Sequence, residues 1–252
     1  MPEIGKWQWF DYDDADSTND TALTLSQNPS AEYFVVTAKR QHNGRGRRGR
    51  SWISQEGNLF MSLGLPFDIK DINALVFITA LSLFEAVASQ SPQGCLQLKW
   101  PNDVLFNNQK ISGILLEKGF QNYIIVGIGV NILTSPCLND QLLYRSASLH
   151  SAGININRVD LMSLFLSCFD RNLSLWREQG FAPIRIKWLQ NVKGLGEDIV
   201  VNNEKNSRRG VFAGLDENGA LLLDENGKIS KIWAGDIFYQ TDHKQRDKVT
   251  DE

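Results

Sequence analysis

Several short runs of β-branched and aromatic residues follow one another along this chain, with few helical stretches between them. Tyr33 to Ala38 (YFVVTA) and Asn58 to Leu65 (NLFMSLGL) read as strands. So do Leu96 to Trp100, which Pro101 ends, and Tyr123 to Asn131 (YIIVGIGVN). Val104 to Phe106 and Ile111 to Glu117 flank Asn107-Asn108-Gln109, the signature of a hairpin. Only two long segments carry helical spacing. One is Ile72 to Ser89; the other is Val159 to Arg177, with Leu161, Leu164, Phe165, Cys168, Phe169, Leu173 and Trp176 on one stripe. Ser17-Thr18-Asn19 reads as a capped entry into a shorter helix, with Ala22, Leu23 and Leu25 buried. This succession restricts the fold to α+β: a mixed sheet with helices packed on one face.

The pattern changes near Gly194 and Gly196. The last stretch consists of short strands divided by two Asp-Glu-Asn-Gly turns, at 216–219 and 224–227. Residues 193–240 therefore read as a small separate SH3-like β-barrel, followed by a frayed polar tail over 241–252. In domain terms this gives 1–190, 191–240 and 241–252.

Composition removes several function classes. A net charge of −3 does not suit a nucleic-acid-binding polycation. No window holds eighteen uninterrupted apolar residues, so no membrane span is expected. The first ten residues lack an apolar signal core. Three cysteines, odd in number and without a CxxC pair, point to a reducing cytoplasm.

Against that background the segment Lys39 to Arg50 stands apart. It holds six cations and three glycines in twelve residues. Glycines let backbone N–H groups approach an anion closely, and arginines add forked donors of permanent charge. A phosphate or carboxylate-phosphate ligand suits this loop; a solvated basic loop or a nucleic-acid patch is the alternative. A Walker A sequence is absent. Lys99-Trp100-Pro101-Asn102-Asp103 places a polar pair at a strand end, either to orient a ligand or as an Asx turn. Lys110 stands at the mouth of an apolar strand in Lys110-Ile111-Ser112-Gly113-Ile114-Leu115-Leu116-Glu117. Gly127-Ile128-Gly129-Val130-Asn131 offers bare backbone to a flat ligand, or simply strand bulges. No histidine has a partner at metal or triad spacing, and no protein nucleophile stands out. Chemistry in which a substrate group is the nucleophile fits best.

Taken in order, STN, GRGRRGR with Trp52, KWPND, KISGILLE and GIGVN resemble the motifs of the biotin protein ligases, the biotin–[acetyl-CoA-carboxylase] ligases. The resemblance covers about residues 10 to 240. It implies a class II synthetase-like catalytic domain that binds biotin and ATP, and a two-step reaction. Biotin's carboxylate attacks the α-phosphate of MgATP to give biotinyl-5′-AMP and pyrophosphate. A lysine of a biotin carboxyl carrier protein then attacks the mixed anhydride.

By the same resemblance, Ser17, Thr18, Asn19 and Gln41 would line the biotin pocket. Gly44, Arg45, Gly46, Arg47 and Arg50 would form the ligand loop, with Arg47 beside the carboxylate and α-phosphate, and Trp52 would close over the adenylate. Lys110 would bind the α-phosphate, making Lys110 and Arg47 the catalytic pair. Gly113, Gly127 and Gly129 would give backbone approach to biotin, and Asn131 would contact adenine. Lys99, Asn102 and Asp103 would hold phosphates or magnesium. Mg2+ would arrive on ATP, near Asn102 and Asp103, rather than in a dedicated protein cage. His42 and Asn43 depart from the Gln and Ala common in the family.

Since STN begins at residue 17, a monofunctional ligase without an N-terminal DNA-binding domain is expected. The expected partner is the carrier domain of acetyl-CoA carboxylase or a related carboxylase, with no DNA and no membrane. Sheet-edge homodimerisation is allowed by family analogy. Lipoate–protein ligase or octanoyltransferase is the alternative enzyme.

Overall fold

A computed structural model describes residues 4–28, 32–90, 95–136, 145–202 and 206–239. The expected tail over 241–252 lies outside them. Two sheets organise the chain. The first comprises β1 (Gln8–Ala15), β2 (Phe34–Gln41), β3 (Leu59–Pro66), β4 (Leu96–Lys99), β5 (Asp103–Phe106), β6 (Gln109–Lys118) and β7 (Tyr123–Val130), in the spatial order β1-β2-β3-β7-β6-β5-β4. β1 runs parallel to β2 and every other neighbour is antiparallel.

Period-2 alternation splits this sheet into two chemically different faces. Leu59, Met61, Leu63 and Leu65 of β3, with Ile124, Val126, Ile128 and Val130 of β7, enter the main core. Helix α2 (Ile72–Ala88) packs there on β4, β5 and β6, and α3 (Arg158–Gln179) and α4 (Phe181–Leu189) pack on α2. The opposite face carries Ser62, Gly127 and Gly129, and the short helix α1 (Thr18–Leu25) lies on it against β2, β3 and β7. Ala22 with Phe34, Val36, Tyr123 and Ile125 forms a second, small core at that place. The longer helices thus share one face, as expected, while α1 occupies the other and leaves part of it open.

Three features differ from the sequence reading. Gln8–Ala15 is a strand although it carries Asp11, Asp13 and Asp14. It is an edge strand, where charges are tolerated and guard against further pairing. Its acids also meet partners: Asp13 pairs with Lys39 at 2.6 Å, Asp14 with Arg40 at 2.9 Å and Asp11 with Arg158 at 2.8 Å. The second feature is α4, which was not anticipated; Pro183 sits in its first turn, where no backbone N–H is required. Third, the turn before β6 is two residues, Asn107 and Asn108. Both have positive φ (48° and 64°), the backbone of a tight hairpin.

The second sheet holds β8 (Asp198–Asn202), β9 (Ser207–Leu215), β10 (Leu221–Glu225), β11 (Lys228–Ile232) and β12 (Asp236–Tyr239), all antiparallel in the order β11-β10-β9-β8-β12. Both Asp-Glu-Asn-Gly segments are turns. At the first, the Asp216 carboxylate accepts from the backbone N–H of Asn218 and Ala220. At the second, Asn226 and Gly227 take φ of 58° and 89°. Trp100 donates to the Gly219 carbonyl across the two sheets at 3.3 Å.

Candidate active site

The open part of the α1 face is floored by the absence of side chains. Gly113 of β6 pairs directly with Gly129 of β7, and Gly127 pairs with Ser62 of β3. The Trp52 indole lies on this floor. A Cβ on Gly129 would fall inside the indole, and one on Gly113 would come within 3.1 Å of it. A Cβ on Gly127 would likewise fall onto the Asn19 amide. The glycines were expected to give biotin close access to backbone. Here they admit Trp52 and Asn19, the side chains that wall the cavity.

Around the floor a cavity of about 450 Å³ opens, within the size range of small-molecule sites. Ser17, Thr18, Asn19, Gln41, Arg45, Gly46, Arg47, Arg50, Trp52, Asn102, Asp103, Lys110, Gly113, Gly127, Gly129 and Asn131 all line it, so the separate motifs converge. Two expected residues do not. Gly44 is buried under the loop, where a Cβ would collide with the Trp52 carbonyl and Ser54. Lys99 is 2% exposed on β4, with its ammonium 5.6 Å from the Tyr239 ring centroid, facing the C-terminal sheet rather than the cavity.

The start of α1 is capped in an unexpected way. The Ser17 side chain makes no cap hydrogen bond; the backbone N–H of Thr18 donates instead to Gln41 Oε1 at 2.8 Å. Ser17, Thr18 and Asn19 are buried at this helix N-terminus, and Ser17, not spent on a cap hydrogen bond, lines the cavity. Ser62 donates to Asn19 Oδ1 at 2.5 Å, and the Thr18 hydroxyl lies 2.8 Å from it. Asn19 donates through Nδ2 to Glu117 at 2.5 Å. These bonds fix which end of the Asn19 amide faces which way.

The cations are held individually. Arg45 makes a two-pronged pair with Asp20, both contacts 2.6 Å, and also reaches Glu117. The Asp20 bond pushes its pKa further up, so it stays charged. Arg48 and Arg50 converge on Asp236 of the C-terminal sheet, at 3.1 and 2.5 Å. Arg47 differs: its partner is the neutral Asn102 Oδ1, at 2.9 Å. Burial pulls its pKa down, against the raising charges of Asp236 and Asp103. The next residue, Asp103, pairs with Lys110 at 2.7 Å.

Consecutive residues of KWPND thus hold the two expected catalytic cations, one each. The turn that does this is fixed by Asn102 Nδ2, which donates to the Ile114 carbonyl at 2.7 Å. At the far end, Asn131 donates to the Ala147 carbonyl, while its Oδ1 is buried without a hydrogen-bond partner among the described residues. Such an acceptor suits a ligand amine, since an unpaired buried oxygen is costly.

Sequence reasoning left three residues unassigned. Ser62 sits mid-strand with nothing to mark it. Glu117 closes the KISGILLE run and so was within view. Asp236 gives no sequence signal, because it reaches the site from another sheet.

The chain was compared with known proteins. Residues 13–131 match the Biotin/lipoate A/B protein ligase family, and residues 194–239 match the Biotin protein ligase C terminal domain. A biotin–[acetyl-CoA-carboxylase] ligase of Paracoccus denitrificans is 36% identical, over 89% of this chain and 97% of its own length. The chain belongs to the biotin protein ligase family. A bifunctional ligase/repressor of Bacillus subtilis within that family is 34% identical over 90% of this chain and 72% of its own. The biotin protein ligase of Aquifex aeolicus, solved with biotin and ATP, superposes with a TM-score of 0.80 at 30% identity, covering 92% of this chain and 97% of that one. The α+β fold and C-terminal β unit expected from sequence are those of the biotin protein ligases.

Proposed function

We propose that the glycine-floored cavity is where this biotin protein ligase joins biotin to ATP and then passes biotin to a carrier lysine. One observation carries the reading: Asn102 and Asp103, adjacent in sequence, hold Arg47 and Lys110 at the rim of a glycine-floored cavity walled by hydrogen-bonding side chains.

The chemistry requires two anions to meet. In the first step a biotin carboxylate oxygen bonds to the α-phosphorus of ATP. The bond from that phosphorus to the bridging β-phosphate oxygen breaks, and pyrophosphate leaves. Negative charge grows on the α-phosphoryl oxygens and on the leaving group. Arg47 bridges carboxylate and α-phosphoryl group, and Lys110 donates to the α-phosphoryl oxygens as charge develops. Both cations are already positioned by neutral or anionic neighbours, so little reorganisation accompanies reaction. In the second step the ε-amine of the carrier lysine attacks the acyl carbon, the acyl–phosphate bond breaks and AMP leaves. The nitrogen's surplus proton is lost and an amide remains.

Ser17, Thr18, Asn19 and Gln41 supply the donors and acceptors for the ureido ring, and the Oδ1 of Asn131 accepts from the adenine amine. Magnesium comes with the nucleotide. Asn102 and Asp103 are engaged with Arg47 and Lys110, so the ion would be held by the nucleotide's own phosphates and would neutralise their charge when bound. The acceptor is the biotin carrier of an acetyl-CoA carboxylase, as the names of the Paracoccus and Mycobacterium tuberculosis relatives support.

Incubation with biotin, MgATP and a purified carrier domain tests this. Mass spectrometry is expected to show one biotinyl group on one carrier lysine, with pyrophosphate released. Modification by lipoate in place of biotin would contradict the substrate assignment.

A further inference from the structure

The loop that covers the cavity is fastened from outside its own sheet. Lys39 and Arg40, at the end of β2, pair with Asp13 and Asp14 on the edge strand; of the four arginines on the loop itself, Arg45 pairs with Asp20 and Glu117. Arg48 and Arg50 both end on one oxygen, Asp236 Oδ2. Asp236 opens β12, its side chain is 18% exposed, and it lines the cavity that Arg47, Lys110 and Asn131 also line. The loop tip between these contacts bends sharply. Arg48 takes φ 56° and ψ 37°, a left-handed conformation that a residue with a Cβ adopts only when its surroundings hold it there.

A carboxylate inside a nucleotide site, seated on two guanidinium groups, occupies what a polyphosphate needs. We propose that Asp236 is a built-in competitor for the phosphates of ATP, and that Arg48 and Arg50 exchange between it and the nucleotide. Without nucleotide the two arginines hold the carboxylate and the loop lies shut against the C-terminal sheet. When ATP enters, its β- and γ-phosphates take the guanidinium groups and Asp236 is left to solvent. When pyrophosphate departs, the carboxylate takes the arginines back and the loop closes over the adenylate. Asp236 is thus a positioning residue: it acts through two loop arginines and touches no reacting atom. One anion replaces another at each step, so the cations are never left unpaired. This inference rests on the assignment of the cavity to biotin and ATP.

The test uses Asp236→Asn, which keeps shape and removes charge, and Asp236→Glu, which keeps charge. In biotin-dependent pyrophosphate release, Asp236→Asn is expected to lower the KM for ATP about fivefold, the worth of one partly exposed ion pair, with kcat changed by less than about twofold. Biotinyl-AMP is expected to leave that variant about fivefold faster. Trypsin is expected to cut the ligand-free variant within residues 45–50 faster than wild type, while Asp236→Glu resembles wild type in all three measurements.

An ATP KM that is unchanged or raised in Asp236→Asn, or an unchanged tryptic rate, would overturn the exchange. Where Asp236→Asn does not fold, Asp236→Ser, smaller and neutral, carries the same comparison. A wild-type protein that releases no pyrophosphate with biotin and ATP would refute the function instead, and the tryptic comparison would still report on the loop.

Discussion

Asn19 donates to Glu117 at 2.5 Å, and the same carboxylate receives Arg45. One acid on β6 therefore ties a wall of the cavity to the basic loop. Glu117→Ala would leave the Asn19 amide free to turn and Arg45 with Asp20 alone. The KM for biotin is expected to rise about tenfold, the cost of losing one to two directed hydrogen bonds to a charged group. The KM for ATP at saturating biotin is expected to change far less. Equal effects on both would mean that Glu117 does not act through Asn19.

The cross-strand pair Gly113 and Gly129 sets how deeply the Trp52 indole can sit. Gly129→Ala places a methyl group where the indole lies, while alanine fits a β-strand backbone without strain. Adenylate formation is expected to fall by at least about tenfold, as a misplaced wall of the site implies. Thermal unfolding should stay close to wild type. Unaltered adenylate formation would mean that the indole's seat on the floor does not matter.

In the proposed function, Lys110 and Arg47 carry the charge of the reaction. Lys110→Ala is expected to slow pyrophosphate release by more than about tenfold, since a charge opposing the developing phosphoryl charge is lost. Arg47→Ala is expected to let biotinyl-AMP escape faster, which a chase with unlabelled biotin and ATP measures. Normal rates in either variant would remove that residue from its role.

Lys99 supplies a contrast. Its ammonium faces Tyr239, and Lys193 approaches the same ring to 4.1 Å. Lys99→Met is expected to lower the thermal midpoint by a few degrees, as loss of a buried contact does, while the KM for ATP stays near wild type. A selective rise in that KM would return Lys99 to the phosphates.

The edge strand gives a pH signature. Burial opposes ionisation of Asp11, but the Arg158 and Thr37 hydrogen bonds outweigh it and hold its carboxyl below the ordinary value of 3.8. A depressed carboxylate contributes stability above its unfolded pKa and loses it as pH falls through the folded value. Wild type is expected to unfold at a higher temperature than Asp11→Asn above about pH 5, and the gap is expected to close as pH drops below about 4. A gap unchanged at low pH would show that the ion pair does not stabilise the strand.

How much of this was legible in sequence depended on how local each cause is. β3 and β7 were readable because every second residue is apolar and enters one core. The hairpin around Asn107 and Asn108 was readable because asparagine tolerates positive φ, although its turn is one residue shorter than the sequence suggested. β1 was not readable: four aspartates over residues 11–16 look like a solvated loop until Lys39, Arg40 and Arg158 arrive from elsewhere. Similarly, the Thr18 N–H is capped by Gln41, twenty-three positions away, so Ser17 looked like an ordinary cap. Motif order brought Arg47, Lys110, Asn102 and Asp103 together in one place. That KWPND holds the cations, and that Asp236 fastens the loop, are facts of tertiary pairing with no local trace.

The decisive measurement is a crystal structure with biotin and a non-hydrolysable ATP analogue. Expected is biotin against Asn19 and Gly127, with its carboxylate and the α-phosphate between Arg47 and Lys110. Vitamin or nucleotide bound away from the glycine floor, or a α-phosphate contacting neither cation, would contradict the assignment of this cavity.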